Sequence, residues 1–104
     1  MNDNAPGGVT ADLGVTFTEI TPGTYYVHFT DYKRDPKINT AQAKYYLEQI
    51  QKAAGEHFGQ NIHIINDTRL ISDRVKSLSS GARKLYAEAY AHPQIGKVAM
   101  VGFG

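Results

Sequence analysis

The chain has 104 residues, 41% of them hydrophobic, and a formal net charge of +1 at pH 7. This length is typical of one domain, and the hydrophobic fraction is typical of a water-soluble globular protein. The interspersed charges argue against a nucleic-acid partner, and the absence of cysteine excludes disulfides and thiolate metal sites.

The first twelve residues, MNDNAPGGVTAD, are rich in Asn, Asp, Gly and Pro and offer no side chains for a core. We therefore expect residues 1–12 to form a flexible leader before one domain at 13–104. The leader lacks the apolar core of a signal peptide, and no run in the chain approaches the roughly 18–20 apolar residues of a membrane span. These features predict a cytoplasmic protein without a membrane span.

Two alternating runs predict a β-hairpin. Apolar residues occupy every second position from Leu13 to Phe17 and again from Tyr25 to Phe29, which is the period of half-buried strands. Between the runs, Pro22 presets the negative φ of the second position of a type II turn, and Gly23 accepts the positive φ of the third. The two strands are therefore expected to pair antiparallel.

A first amphipathic helix is predicted after the hairpin. Asn39 is the expected N-cap, because Gln42 stands three residues further on, as in a capping box. Gly55 or Gly59 is the expected end of the helix. Its apolar stripe consists of Ala43, Tyr46, Leu47, Ile50 and Ala54.

The remaining pattern is strand, loop, helix and strand. The run from Ile62 to Ile65 hardly alternates, which predicts a strand buried on both faces. A second run, Ile95 to Val101, returns to strand after His92-Pro93. The helix between them carries its stripe at Leu78, Ala82, Leu85, Tyr86, Ala89 and Tyr90.

The predicted fold is therefore α/β, with the order β-β-α-β-α-β, right-handed crossovers and helices packed on a mixed sheet. The sequence stops at Gly102-Phe103-Gly104, directly after a predicted strand that a further helix would usually cover. We expect the domain to be truncated at its C-terminus and to be the N-terminal part of a longer protein.

Catalytic and metal-binding signals are weak. The four histidines show no metal-site spacing, and His63 is expected to be a packed or hydrogen-bonded strand residue. Asp67 and Asp73 could form an acid/base pair, but they share a charged loop that is more simply explained as solvated. No nucleotide-binding glycine motif occurs, so we expect neither a metal nor a cofactor.

The start of the second helix is the strongest regulatory signal. Ser79-Ser80-Gly81 opens the helix, and Asp67 ends the preceding strand, so both are expected at one edge of the sheet. The free N–H groups of a helix start attract anions, and a phosphate there would add about −1.5 to −2 charge. Serine is also a preferred N-cap, which explains the same residues without any phosphate.

The motifs IINDTR, ending the third strand, and SLSSGARKLYAEA, opening the second helix, resemble the STAS family of anti-sigma-factor antagonists, especially its divergent SpoIIAA-like branch. The resemblance covers Leu13 to Val101 in element order. It implies that Ser80 corresponds to the serine phosphorylated by a partner kinase, and that Ser79 and Gly81 are its neighbours. Leu78 departs from the aspartate of the family motif, whereas Gly81-Ala82-Arg83 is similar to the helix start of the divergent branch.

The resemblance implies a non-enzymatic signalling or regulatory domain that docks a protein partner or senses a signal. We expect the input module of a bacterial signalling protein such as a sensor histidine kinase, whose kinase activity would lie beyond Gly104. The partner would be a kinase, an anti-sigma-like regulator or the rest of the same polypeptide. The candidate docking or phosphorylation residues are Asp67, Arg69, Ser79, Ser80, Gly81 and Arg83.

Three alternatives remain open. An apolar small-molecule pocket would lie between the hairpin and the second helix, lined by Tyr26, Phe29, Tyr86 and Tyr90. An enzyme acting on a phosphorylated or acyl substrate would use Asp67 and Ser80. A homodimer would cover an apolar sheet face or strand edge left without a helix.

Overall fold

A computed structural model describes residues 13–31, 35–71 and 79–102 of the chain. The predicted leader at 1–12 lies outside the described residues. So do Asp73, Leu78 and Gly104, which belong to other parts of the chain. The strands are β1 (Val15–Thr21), β2 (Thr24–Phe29), β3 (Ile62–Asp67) and β4 (Ile95–Val101), and the helices are α1 (Pro36–Glu56) and α2 (Ser80–Tyr90). The structure confirms an α/β fold with a four-stranded mixed sheet and two helices.

The sheet has the strand order β1-β2-β3-β4. β1 and β2 form the predicted antiparallel hairpin, and Gly23 in the connecting turn has a φ of 82°. β2, β3 and β4 run parallel to one another. Of the two helices, neither combines the length and the apolar composition needed to cross a membrane in the part of the chain that the structure describes.

Both helices lie on the same face of the sheet. Each crossover, β2-α1-β3 and β3-α2-β4, moves one strand further in the same direction, so right-handed connections place both helices on one side. The core between the layers contains Val15, Tyr25, Val27, Phe29, Tyr46, Leu47, Ile50, Ile62, Ile64 and Ala89.

The prediction that β3 is buried on both faces is wrong. Ile62 and Ile64 are buried beneath the helices, whereas His63 and Ile65 are only half-buried on the opposite side. Because neither described helix crosses to that side, it remains uncovered by them. We call it the helix-free face, and alternation and strand register assign to it Tyr26, His28, His63, Ile65, Asp67, Lys97, Ala99 and Val101.

The N-cap of helix α1 lies four residues before the expected one. Asp35 is the N-cap, its Oδ1 accepts a hydrogen bond from the backbone N–H of Lys37 at 2.8 Å, and Pro36 occupies the first turn. An aspartate cap followed by proline is as favourable as the predicted box at Asn39, because the proline φ suits the first helical position. Asn39 is instead buried inside the helix.

Helix α2 begins at Ser80, within the Ser79-Ser80-Gly81 start that the sequence predicts, and Ser79 is its N-cap. Ala82 and Ala89 of the predicted stripe are buried, and Leu85 and Tyr86 are partly buried against the core. Tyr90 is 39% exposed, because it lies at the end of the helix where the adjacent strand, β4, is itself largely open to solvent.

Candidate functional site

A carboxylate that accepts four hydrogen bonds lies at the end of β3. Asp67 is 1% exposed, although the Arg69 guanidinium that binds it is largely open to solvent. Oδ1 of Asp67 accepts hydrogen bonds from the Arg69 backbone N–H at 3.1 Å and from Nε at 3.0 Å. Oδ2 accepts from Arg69 Nη2 at 2.7 Å and from the Tyr26 hydroxyl. We call Tyr26, Asp67 and Arg69 the Asp67 cluster.

Electrostatics keep this carboxylate ionised. The side chain of Arg69 and the hydroxyl of Tyr26 together hold the pKa of Asp67 well below its usual range. The same contacts raise the pKa of Arg69, and the hydrogen bond to Asp67 raises the pKa of Tyr26. Both carboxylate oxygens already accept two hydrogen bonds each, so Asp67 is a weak base with little capacity for a substrate proton.

The lowered pKa predicts a specific acid dependence of stability. An aspartate with a folded pKa below its unfolded value of about 3.9 stabilises the fold above pH ~4 and loses that contribution as the pH falls through the folded pKa. We therefore expect urea midpoints of the wild type to fall more steeply below pH ~4 than those of Asp67→Asn. Equal slopes for the two proteins would contradict the ionised, bonded state of Asp67.

Ser79 caps the N-terminus of α2 and connects it to α1 by hydrogen bonds. Its Oγ accepts a hydrogen bond from the backbone N–H of Ala82 at 3.0 Å and bonds with Thr40 Oγ1 at 3.0 Å. Its backbone N–H donates to Oδ1 of the buried Asn39 at 3.1 Å. These bonds tie the start of α2 to the first turns of α1. Ser80 and Arg83 are exposed beside this junction, while Gly81 is half-buried against the Thr40 side chain.

The two halves of the predicted docking site lie in different layers. Asp67 and Arg69 belong to the sheet edge, and the bond to Tyr26 places the Asp67 carboxylate on the helix-free face. Ser79 and Gly81 belong to the helix layer, where they contact Asn39 and Thr40 of α1. The hydrogen bonds of Asp67 and those of Ser79 therefore have separate sets of partners in the described residues.

The predicted pocket residues are also divided. Phe29, Tyr86 and Tyr90 surround the buried Tyr46, with ring centroids 6.0, 5.2 and 5.7 Å from its own. The Tyr46 hydroxyl donates to Asn66 Oδ1 at 2.7 Å, and Asn66 Nδ2 donates to the Tyr90 hydroxyl at 3.2 Å. Tyr26 lies on the opposite face of the sheet. Phe29, Tyr86 and Tyr90 therefore pack around Tyr46, and the sheet separates them from Tyr26.

A groove that the sequence analysis missed lies between the hairpin and the second half of α1. It has a volume of about 170 Å³ and is lined by Phe17, Tyr25, Gln49, Lys52, Ala53 and Glu56. The spacing of Gln49, Lys52 and Glu56 places them along one side of the helix, which is the one signal that the sequence offers. The position of the hairpin beside that row of residues follows only from the fold.

The histidines and carboxylates do not assemble a metal site in the described part of the chain. No group of three or more His, Asp or Glu side chains there has the geometry to hold a metal ion. His57 pairs with Glu19, and His63 Nδ1 accepts the backbone N–H of Lys97 at 3.1 Å. These two histidines therefore have structural contacts within the domain.

No family model, curated protein or solved structure matches this chain. The likeness to the STAS family therefore remains a hypothesis that rests on the two motifs and the element order.

Proposed function

We propose that the chain is a non-enzymatic regulatory domain that docks a protein partner on the helix-free face. The observation that carries this proposal is the exposure pattern of that face. Tyr26, Ile65 and Val101 are only half-buried there, and neither described helix covers them. Apolar and aromatic side chains that adjoin on a sheet surface are typical of an interface centre.

The polar side chains of Asp67 and Ser79 already have hydrogen-bond partners within the domain, which supports a binding role over a catalytic one. Asp67 has a lowered pKa and accepts four hydrogen bonds, so it is poorly suited to remove a proton. The Ser79 hydroxyl is engaged by Thr40 and by the N–H of Ala82. A pre-organised cluster of tyrosine and arginine beside an apolar patch instead resembles the residues that dominate protein interfaces.

Charge on the helix-free face favours an acidic partner surface. Lys97 is exposed on the face, and the Arg69 side chain at its edge is 67% exposed. The one carboxylate assigned to the face in the described residues, Asp67, is neutralised by Arg69. A partner with carboxylates facing Lys97 and the outer edge of Arg69 would complement this surface, and its affinity would fall as salt concentration rises.

The finer proposal follows the STAS resemblance. The domain would be the input module of a bacterial signalling protein such as a sensor histidine kinase, and a partner kinase would phosphorylate Ser80. Ser80 is exposed in the first turn of α2, where the helix dipole favours a phosphate, and Ser79 supplies the cap independently. A phosphate at Ser80 would thus change the surface without removing the cap.

A matched pair of lysine substitutions tests the docking face. Ile65→Lys places a charge on the helix-free face, whereas Ile38→Lys makes the same change at a 40%-exposed position on α1. We expect immobilised wild type and Ile38→Lys to capture the same partner from a lysate of the source organism, and Ile65→Lys to lose it. Equal capture by all three folded proteins would contradict the proposed face, and self-association of the wild type would identify a second copy as the occupant.

A further inference from the structure

The outer edge of β4 is open in the described part of the chain. There, β4 is the last strand of the sheet, and its one strand partner is β3. The residues from Gly96 to Met100 are all exposed, although the strands of a parallel sheet are usually covered on both faces. Val98 lies opposite Ile64 on the helix side of the sheet, yet it is 38% exposed, and Met100 on the same side is 47% exposed. Such an edge is a template for a further strand.

Backbone contacts show which residues of β4 turn toward this edge. The Val101 carbonyl accepts the N–H of the residue after β3 at 2.9 Å, and the Lys97 N–H donates to His63 Nδ1 at 3.1 Å. Val101 and Lys97 therefore direct these backbone groups toward β3. Because the direction alternates along a strand, the N–H and C=O groups of Val98 and Met100 point to the open edge.

A second copy of β4 fits this edge in an antiparallel register. With a twofold axis at Ala99, Val98 of each copy pairs with Met100 of the other, and each pair exchanges two hydrogen bonds. The two exposed apolar side chains then cover one another on the helix side. On the helix-free face, Lys97 lies opposite Val101 of the other copy, so no like charges meet.

The regular part of β4 favours this axis over the neighbouring one. Residues 97–101 pair with β3 without interruption, whereas the register shifts between Ile62 and His63, which leaves Gly96 without a partner. An axis at Val98 would pair Met100 with that irregular Gly96. The axis at Ala99 uses only the regular residues.

We propose that the chain forms a homodimer by antiparallel pairing of the two β4 edges, so that the sheet continues from one copy into the other. A second copy fits better than an unrelated strand, because the pairing of Val98 with Met100 occurs on both sides of the axis. This surface is distinct from the centre of the helix-free face, where Ile65 lies on β3. Ile65→Lys should therefore dimerise like the wild type, and the homodimer and partner docking can fail separately.

Cysteine cross-linking tests the register, because the chain has no cysteine of its own. Ala99→Cys places a thiol at the axis, where the two Cα atoms would lie about 4.5 Å apart, within the roughly 4.4–6.8 Å that a disulfide spans. Mild oxidation should convert most of this variant into a covalent dimer. Lys97→Cys is the control, because it is exposed on the same strand but its two copies would lie roughly 13 Å apart. Equal cross-linking of the two variants, or none in Ala99→Cys, would overturn the register.

Charge complementation tests the pairing of Val98 with Met100. Val98→Glu and Met100→Lys each alter an exposed side chain, so both variants should fold as the wild type does, which circular dichroism checks. Each places a charge against an apolar partner and should weaken self-association, followed by sedimentation velocity, at least about tenfold. An equal mixture should recover a heterodimer, because the introduced carboxylate faces the introduced ammonium. A wild type that stays monomeric throughout a concentration series, or a mixture that associates no better than either variant alone, would overturn the homodimer.

Discussion

Tyr46→Ala is expected to lower the free energy of unfolding by about 3–5 kcal/mol, the largest loss predicted for one substitution in this domain. Tyr46 is 0% exposed and its ring lies within 5.1–6.0 Å, between centroids, of Phe17, Phe29, Tyr86 and Tyr90. It thus joins the hairpin, α1 and α2 in one aromatic cluster. Removing the ring leaves a cavity between the layers that rigid neighbouring rings cannot fill. Urea denaturation followed by circular dichroism measures the effect.

Tyr46→Phe is the matched control for that cavity. It keeps the ring but deprives Asn66 of the hydroxyl that donates to its Oδ1 at 2.7 Å, inside a core where Asn66 is 0% exposed. The expected loss is about 1–3 kcal/mol, because the amide oxygen remains buried without that donor. A loss for Tyr46→Ala no larger than that for Tyr46→Phe would show that the aromatic cluster does not stabilise the fold as described.

Gly102→Ala is expected to cost about 1–3 kcal/mol of unfolding free energy, because the backbone there has a positive φ that residues with a side chain rarely adopt. Gly102 has a φ of 110°, and an added Cβ would lie 2.8 Å from the backbone nitrogen of Arg69. That backbone is held by Thr68, whose N–H and Oγ1 both bond to the Val101 carbonyl, at 2.9 and 3.0 Å. The added methyl therefore strains the turn that carries the Asp67 cluster.

Gly55→Ala is the same substitution at a second glycine, where it is expected to stabilise the fold. Gly55 lies in the last turn of α1, its φ is not positive, and a methyl group added to its Cα would have no neighbouring atom within 4 Å. Alanine should therefore raise the unfolding free energy by about 0.5–1 kcal/mol through helix propensity. Thermal denaturation of both variants tests the pair, and a stable Gly102→Ala would contradict the close approach of Gly102 to Arg69.

Local patterns in the sequence predict the elements of this fold well. Alternation from Tyr25 to Phe29 identifies the hairpin strand, and Ser79-Ser80-Gly81 identifies the start of α2, which Ser79 caps. The start of α1 is less predictable, because Asp35 and Asn39 are both good caps at the same helix end and proline decides in favour of Asp35. Which of the two residues caps the helix depends on a small difference in free energy between the two helix starts.

The candidate site is less predictable because its contacts join distant residues. The bond between Tyr26 and Asp67 depends on the parallel register of β2 and β3, which no local pattern encodes. The assignment of β3 as buried on both faces failed because apolar residues such as Ile65 also occupy the helix-free face. The groove lined by Phe17, Tyr25 and Glu56 likewise follows from the position of α1 beside the hairpin.

The proposal that the helix-free face docks a protein partner is tested most directly by equilibrium binding. The Kd for the captured partner is measured with Ile65→Lys and with Ile38→Lys, and the two values are compared. Both variants carry the same new charge, and folding is checked by circular dichroism before binding is measured. We predict that Ile65→Lys raises the Kd at least about tenfold, because a lysine in the interface centre must be desolvated, while Ile38→Lys stays within about twofold of the wild type. Equal Kd values for the two variants, or a larger loss for Ile38→Lys, would contradict the claim.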